Sequence, residues 1–220
     1  MVYMNNDMSQ FGQSEVLLKY LNYENGFFIE AGANDGVVQS NTFYFEKELN
    51  WTGLLVEPNH FKYKECIENR VNSICENFAL VSSDFENDVI RGSFSGPSNS
   101  LTGRVIDRKT EVFNKNILKE FYLHYRQRDI VEVRCATLTD LLEKHNITNI
   151  DLLSLDVEEY ELPILKGLDF NIYRPKYLLV EIFPFKKSKE EMFSFLKKKE
   201  YKFVEKIQKC NDYIFVDSYL

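Results

Sequence analysis

At four places in this sequence a buried-looking apolar run ends in glycine or a carboxylate. After Phe-Phe-Ile-Glu-Ala (27–31) come Gly32, Ala33, Asn34, Asp35 and Gly36; after Gly-Leu-Leu-Val (53–56) comes Glu57. Residues 156–161 follow the run 150–155, and Glu181 follows Tyr-Leu-Leu-Val (177–180). Asp35, Glu57, Asp156, Glu158 and Glu181 supply carboxylates, and a cleft so lined implies a cationic ligand or a metal. Glycines at 32 and 36 let a backbone approach a ligand and let helix amides point at it. A dinucleotide fingerprint needs a further glycine at position 34, where Asn34 stands, and Asp35 would face a pyrophosphate. S-adenosylmethionine suits the turn better: it has no phosphate, its sulfonium is positive and its amino acid end is zwitterionic. Glu57, 25 residues after Gly32, is placed to accept two ribose hydroxyls, a spacing compatible with either cofactor.

These residues need a scaffold that brings strand ends together. Apolar runs alternate with helical patterns, the signature of βαβ units and a parallel sheet. Strands are expected at 27–31, 53–56, 73–81 (broken near Asn77), 88–94, 130–135, 150–155 and 177–182. Helices are expected at 43–49, 60–70, 138–145, 162–168 and 189–199, the last with Phe193 and Leu196 inward and its lysines wet. Residues 201–207 and 213–216 close as a hairpin around Cys210-Asn211-Asp212. Parallel α/β units ending in an antiparallel hairpin are one variant of the doubly wound sheet, whose ligands bind at the carboxyl ends of the strands, at the switch point.

The whole chain of 220 residues is read as a single domain, with a helical N-terminal segment over 9–25 and a substrate-binding insertion over about 93–134. A disordered chain is excluded by 18 Phe and 13 Tyr beside the aliphatic content. No run approaches the roughly 18 apolar residues of a membrane span. Residues 1–9 lack a basic stretch followed by an apolar one, so a cytoplasmic protein is expected. Cys66, Cys75, Cys135 and Cys210 are scattered and read as buried free thiols. Net charge of −7 argues against a general affinity for nucleic acid. The charge is uneven: residues 104–134 carry eight Lys and Arg against five Asp and Glu, and residues 186–209 carry nine Lys against four Glu.

In ordered segments the sequence resembles the FkbM-type methyltransferases. The matching stretches are Ser-Gln-Phe-Gly-Gln-Ser (9–14), Phe-Ile-Glu-Ala-Gly-Ala-Asn-Asp-Gly (28–36) and Ser-Asn-Thr (40–42). They continue with Trp-Thr-Gly-Leu-Leu-Val-Glu-Pro-Asn (51–59), Asn-Phe-Ala-Leu-Val-Ser-Ser (77–83) and Leu-Ser-Leu-Asp-Val-Glu (153–158), then Leu-Lys-Gly-Leu (165–168) and the strand 177–181. The resemblance implies a Rossmann-like class I methyltransferase fold with a mostly parallel seven-stranded sheet ending in an antiparallel hairpin. It implies an S-adenosylmethionine-dependent O-methyltransferase, with many relatives acting on sugars of bacterial surface polysaccharides. Cofactor contacts are expected from Glu30, Gly32, Ala33, Asn34, Asp35, Gly36, Asn41 and Glu57, with adenine near Phe78 and Ala79. One position departs from the family pattern: Glu159 stands where a glycine usually follows Asp-Val-Glu.

Methyl transfer is an in-line displacement, so most of the catalysis is alignment, while a sugar hydroxyl gains from a base or a metal. Asp156, Glu158 and His124 are the expected catalytic residues. Asp156 and Glu181 are the expected ligands of a divalent ion, Mg²⁺ or Mn²⁺, with Fe²⁺ admitted if His124 joins them. His60 and His145 read as helix-end residues. The loop 93–103 reads equally as connector or as a lid. The basic insertion reads equally as a solvated face or as a reader of the diphosphate of a nucleotide sugar, through Arg104, Arg108, Arg126 and Arg128 with Tyr122 and Tyr125. A branched side chain at Gly32 is expected to block the cofactor and spare the fold. The competing readings are a non-catalytic scaffold domain and an NAD-linked oxidoreductase.

Overall fold

The computed structural model describes residues 6–92, 131–183 and 186–220. In chain order the elements are α1 (Gln13–Leu21), β1 (Phe27–Ala31), α2 (Phe43–Leu49), β2 (Thr52–Val56), α3 (His60–Asn69), β3 (Ile74–Glu76), β4 (Ala79–Leu80) and β5 (Val89–Gly92). They continue with β6 (Val131–Ala136), α4 (Leu138–Lys144), β7 (Leu152–Leu155), α5 (Glu161–Lys166), β8 (Tyr177–Glu181), α6 (Lys186–Lys198), β9 (Tyr201–Lys206) and β10 (Asp212–Asp217). Seven strands form one sheet in the order β3-β2-β1-β7-β8-β10-β9. All neighbours are parallel except β10, which runs antiparallel to both β8 and β9. The expected sheet is therefore present, and its order reverses between β1 and β7, the switch point where ligands bind.

Alternation along the central strands divides the core. Phe28, Leu55, Leu152, Leu179 and Ile214 pack with Leu17 and Leu21 of α1, Phe45 of α2 and Cys66 of α3. Ile29, Leu54, Leu153, Leu178 and Phe215 point the other way, against Leu138 and Leu141 of α4, Ile164 and Leu165 of α5, and Met192 and Leu196 of α6. A strand buried on both faces must read as a continuous apolar run, which is why β1, β2, β7 and β8 were visible as such. Phe193 and Leu196 do face inward. Local chemistry sets two of the helix starts. Asn59 caps α3 by accepting from the amides of Phe61 and Lys62, and Thr137 with Asp140 forms a capping box on α4.

The strand expected at 73–81 is two strands. Asn77 donates its side-chain amide to the carbonyls of Glu57 and Pro58, at 2.8 and 2.9 Å, which pulls the chain off the edge of β2. Beyond the break, β4 joins β6 and β5 in a separate three-stranded sheet of order β4-β6-β5. Residues 93–130, and with them the candidate lid, His124, Arg104, Arg108, Arg126, Arg128, Tyr122 and Tyr125, lie outside the described residues. Among the described residues no helix is long and apolar enough to cross a membrane.

Candidate cofactor site and acidic cleft

The turn after β1 is hooked onto its neighbours on both sides. The amides of Gly32 and Ala33 both donate to the carbonyl of Val56, at 3.0 and 3.2 Å, and Asp156 donates its amide to the carbonyl of Ala31. Gly32 has φ +80° and Gly36 φ +79°, conformations that cost little only for glycine. Asn34 takes φ +51°, so the position where a dinucleotide fingerprint has glycine is met by the residue that best tolerates that region. A Cβ on Gly32 would come within 2.0 Å of the Asp156 carbonyl oxygen. A branched residue there strains the strand-end packing itself, which corrects the expectation that only the cofactor would be blocked.

Glu57 closes the turn from β2. Its carboxylate accepts from the amides of Asn34 and Asn59, both at 2.8 Å. Burial pushes its pKa up to about 7, against the pull of those two amides and of Lys62. Two amides leave acceptor capacity on a carboxylate with about four lone-pair sites. Asp35 turns inward on its own loop, accepting from the amides of Val37 and Val38.

Under the turn lies a buried polar hub. Glu30, on β1, accepts from the Ser40 hydroxyl, the Asn41 amide and the Thr42 hydroxyl at 2.8, 2.7 and 2.5 Å. Arg70, fully buried, donates to the Gly36 carbonyl, Ser40 Oγ, Thr42 Oγ1 and the Glu46 carboxylate. Its guanidinium lies 3.6 Å from Glu30 and stacks over Phe28. Glu30 is thus a scaffold of the 40–42 loop, with both oxygens engaged by protein donors. Asn41 donates to Ser154 of β7, and its buried Oδ1 has no hydrogen-bond donor. A buried acceptor left bare costs about 1–3 kcal/mol, and the ammonium of S-adenosylmethionine is a donor that would satisfy it. With Glu57 free to accept hydroxyls, the residues present fit that cofactor. At the far side, Phe78 and Ala79 are both buried, and Arg134 and Lys144 lie over the Phe78 ring.

Carboxyls converge at the ends of β7, β8 and β10. Asp156 is open to solvent yet crowded by protein, and its carboxyl is raised by desolvation first and then by Asp212. Glu181 is raised by burial first and then by the neighbouring Asp156, and its Oε2 is buried without a partner. Both carboxyls are raised and their titrations are linked, so the pair holds on to protons that isolated carboxylates would release. Asp212, opposite Glu181 in the β8–β10 register, accepts from the buried Gln13 side chain at 2.8 Å. Glu161 is buried, accepts from the Val157 amide at 3.1 Å and is pushed up by burial to about 7.

Asp156 and Glu181 thus meet as expected, but as a carboxyl pair. Among the described residues no group of three or more His, Cys, Asp or Glu could hold a metal ion. His60 is the first residue of α3 and contacts Asn77, and His145 binds Glu76 at 2.5 Å. Glu158 has φ +59° and Glu159 φ +76°. The glycine-type turn after Asp156 is therefore kept, with glutamate forced into the glycine conformation. Sequence reasoning missed Glu161, Asp212 and Arg70. Glu161 lies in a segment already singled out, and Asp212 sits in the hairpin turn; nothing in the sequence marked Arg70.

A family model described as the methyltransferase FkbM domain matches residues 30–203. No curated protein sequence is significantly similar to the chain. Among solved structures, the METTL16 methyltransferase domain is similar at 10% identity and a TM-score of 0.51, covering 94% of this chain and 65% of that one. Fibrillarin from Aeropyrum pernix, with natively bound S-adenosyl-L-methionine, is similar at 10% identity and a TM-score of 0.49, covering 96% and 75%. A TehB-like S-adenosylmethionine-dependent methyltransferase from Corynebacterium glutamicum follows at 8% identity and 0.47, covering 95% and 89%. The fold is that of the class I S-adenosylmethionine-dependent methyltransferases.

Proposed function

The chain belongs to the FkbM methyltransferase family, and from that premise we propose that this S-adenosylmethionine-dependent methyltransferase methylates a sugar hydroxyl, with Asp156 as the base. The acceptor we favour is a nucleotide-activated sugar destined for a surface polysaccharide. The observation that carries the reading is the Asp156–Glu181 pair beside the Gly32 turn. When bound, S-adenosylmethionine supplies a methyl group on a positively charged sulfur. Glu57 would hold the ribose hydroxyls, Asn41 would take the ammonium, and the turn 32–36 would supply backbone contacts. Asp156, with the pair's proton resting on Glu181, would receive the hydroxyl proton as the acceptor oxygen bonded to the methyl carbon and the carbon–sulfur bond broke, leaving the sulfur neutral. A raised pKa brings the base closer to the working pH and strengthens it for an alcohol.

A divalent ion bound by Asp156 and Glu181 would need a further ligand from outside the described residues, such as His124. The base reading needs nothing beyond the pair. Glu159 had left room for a scaffold without activity; the turn it sits in keeps the glycine geometry, and that support falls away. An acidic cleft in a chain of net charge −7 disfavours a polyanionic acceptor, and the arginines of 104–134 offer cations for a single diphosphate. Calorimetry with S-adenosylmethionine tests the cofactor. A panel of nucleotide sugars, read by mass spectrometry for the gain of one methylene, tests the acceptor; cofactor binding without any methylated sugar would sink this substrate class.

A further inference from the structure

Beneath the cofactor turn lies a pair of thiols that methyl transfer does not use. Cys66, in the last turn of α3, and Cys75, at the centre of β3, face each other with their sulfurs 3.5 Å apart. Both are free; Cys66 is buried and Cys75 is half-buried. Either sulfur can donate in this contact, and the Arg70 guanidinium acts on both thiols in the sense that favours a thiolate. Cys66 also supports the turn: a Cβ on Gly36 would lie 2.9 Å from its sulfur and 2.6 Å from Arg70 Cγ. Arg70 in turn holds the Gly36 carbonyl at 2.9 Å and is tied to Cys66 through its own amide.

We propose that Cys66 and Cys75 are a reversible redox modification site, oxidised by a low-molecular-weight disulfide, and that the resulting bridge loosens the cofactor turn above it. The second half rests on the methyltransferase reading; the first does not. The Cys75 thiolate attacks one sulfur of the small disulfide, whose S–S bond breaks and releases one thiol. Cys66 then loses its proton and attacks the mixed disulfide at Cys75, expelling the second thiol. The two cysteines lose two electrons and two protons, and the small disulfide gains them. A disulfide is about 2.05 Å long, so the sulfurs must approach by about 1.5 Å. Cys75 is pinned by the pairing of β3 with β2, opposite Leu55. The approach therefore draws on Cys66, shifting its sulfur from under Gly36 and Arg70.

The test is to incubate the reduced protein with oxidised glutathione, map its peptides without reductant, and titrate S-adenosylmethionine before and after. The expected result is a peptide joining Cys66 to Cys75, affinity weaker by about tenfold, and recovery with dithiothreitol. Cys75→Ser should bind the cofactor like the reduced protein and ignore the oxidant. Absence of the joined peptide overturns the proposal, as does a bridge that leaves affinity unchanged. Should the reduced protein bind no S-adenosylmethionine, the cofactor reading is what has failed, and the peptide map alone then upholds or rejects the redox site.

Discussion

The carbonyl oxygen of Asp156 occupies the space into which any side chain on Gly32 would have to project, 2.0 Å from a Cβ built there. The cofactor turn and the strand end bearing the proposed base are thus in backbone contact, and the position of one fixes the other. Gly32→Ala must move one of them while also holding φ near +80°. Expected are a loss of stability of about 1–3 kcal/mol and a marked loss of S-adenosylmethionine binding. Chemical denaturation and calorimetry check both; an unchanged midpoint together with unchanged affinity would contradict the contact.

Glu159 illustrates the opposite case, a residue that tolerates a conformation better suited to glycine. Holding a non-glycine residue at φ +76° costs about 1 kcal/mol, part of which glycine returns through its freer unfolded chain. Glu159→Gly should therefore stabilise the protein by about 0.5 kcal/mol, and Glu159→Val should destabilise it. Urea unfolding of the three proteins should rank them in that order; a destabilised glycine variant would mean the Glu159 side chain itself holds the turn.

The sheet was readable because central parallel strands are buried on both faces, so runs such as 152–155 and 177–180 announce themselves without periodicity. The ends of those runs then located Glu57, Asp156 and Glu181. The break at Asn77 was visible, but its consequence, a second sheet, depends on side-chain bonds to Glu57 and Pro58 carbonyls that no local pattern encodes. Arg70 was hidden for the same reason: an arginine at the end of an exposed helix reads as solvated, and only the fold brings Glu30, Glu46 and Gly36 around it. Asp156 and Glu181 are neighbours in the fold, yet among the described residues no third ligand joins them.

Arg70 is fully buried between Glu46 at 2.8 Å and Glu30 at 3.6 Å. Removing the cation leaves two carboxylates buried without it and frees the Gly36 carbonyl. Arg70→Met is expected to cost about 3–5 kcal/mol, because breaking one side of a buried pair is far worse than lacking the pair. Arg70→Lys keeps the charge but not the fork of donors, and should fall between. Equilibrium unfolding checks the order; a methionine variant as stable as the parent would show that the hub does not depend on its charge.

Glu57 links stability and cofactor binding to pH in opposite directions. Its pKa rises from an ordinary 4.5 to about 7, so between those values the folded protein holds more protons than the unfolded chain. Its stabilising share is complete below about 4.5 and is lost as pH rises through about 7. Glu161 shifts in the same direction to about 7. The ligand-free protein should thus lose stability across that window, while affinity for S-adenosylmethionine increases as Glu57 ionises. Thermal melts and calorimetry in a pH series test this, and Glu57→Gln should weaken binding and flatten its pH dependence.

Asp156 and Glu181 should respond differently to loss of charge. Asp156→Asn removes the proton acceptor and should lower turnover by about 10²–10⁴-fold with cofactor affinity nearly intact. In the proposed mechanism the proton of the pair rests on Glu181, which burial and Asp156 both raise. Glu181→Gln copies that neutral state, so turnover near neutrality should survive, and any change should fall on the alkaline side, where native Glu181 ionises. The pair also separates base from metal chemistry. A carboxylate base works in chelator, whereas an ion held by both residues would be lost to it and to either substitution. Turnover measured for the three proteins with and without EDTA decides the matter: equal collapse of both variants, with metal restoring the parent after chelation, would replace the base by an ion.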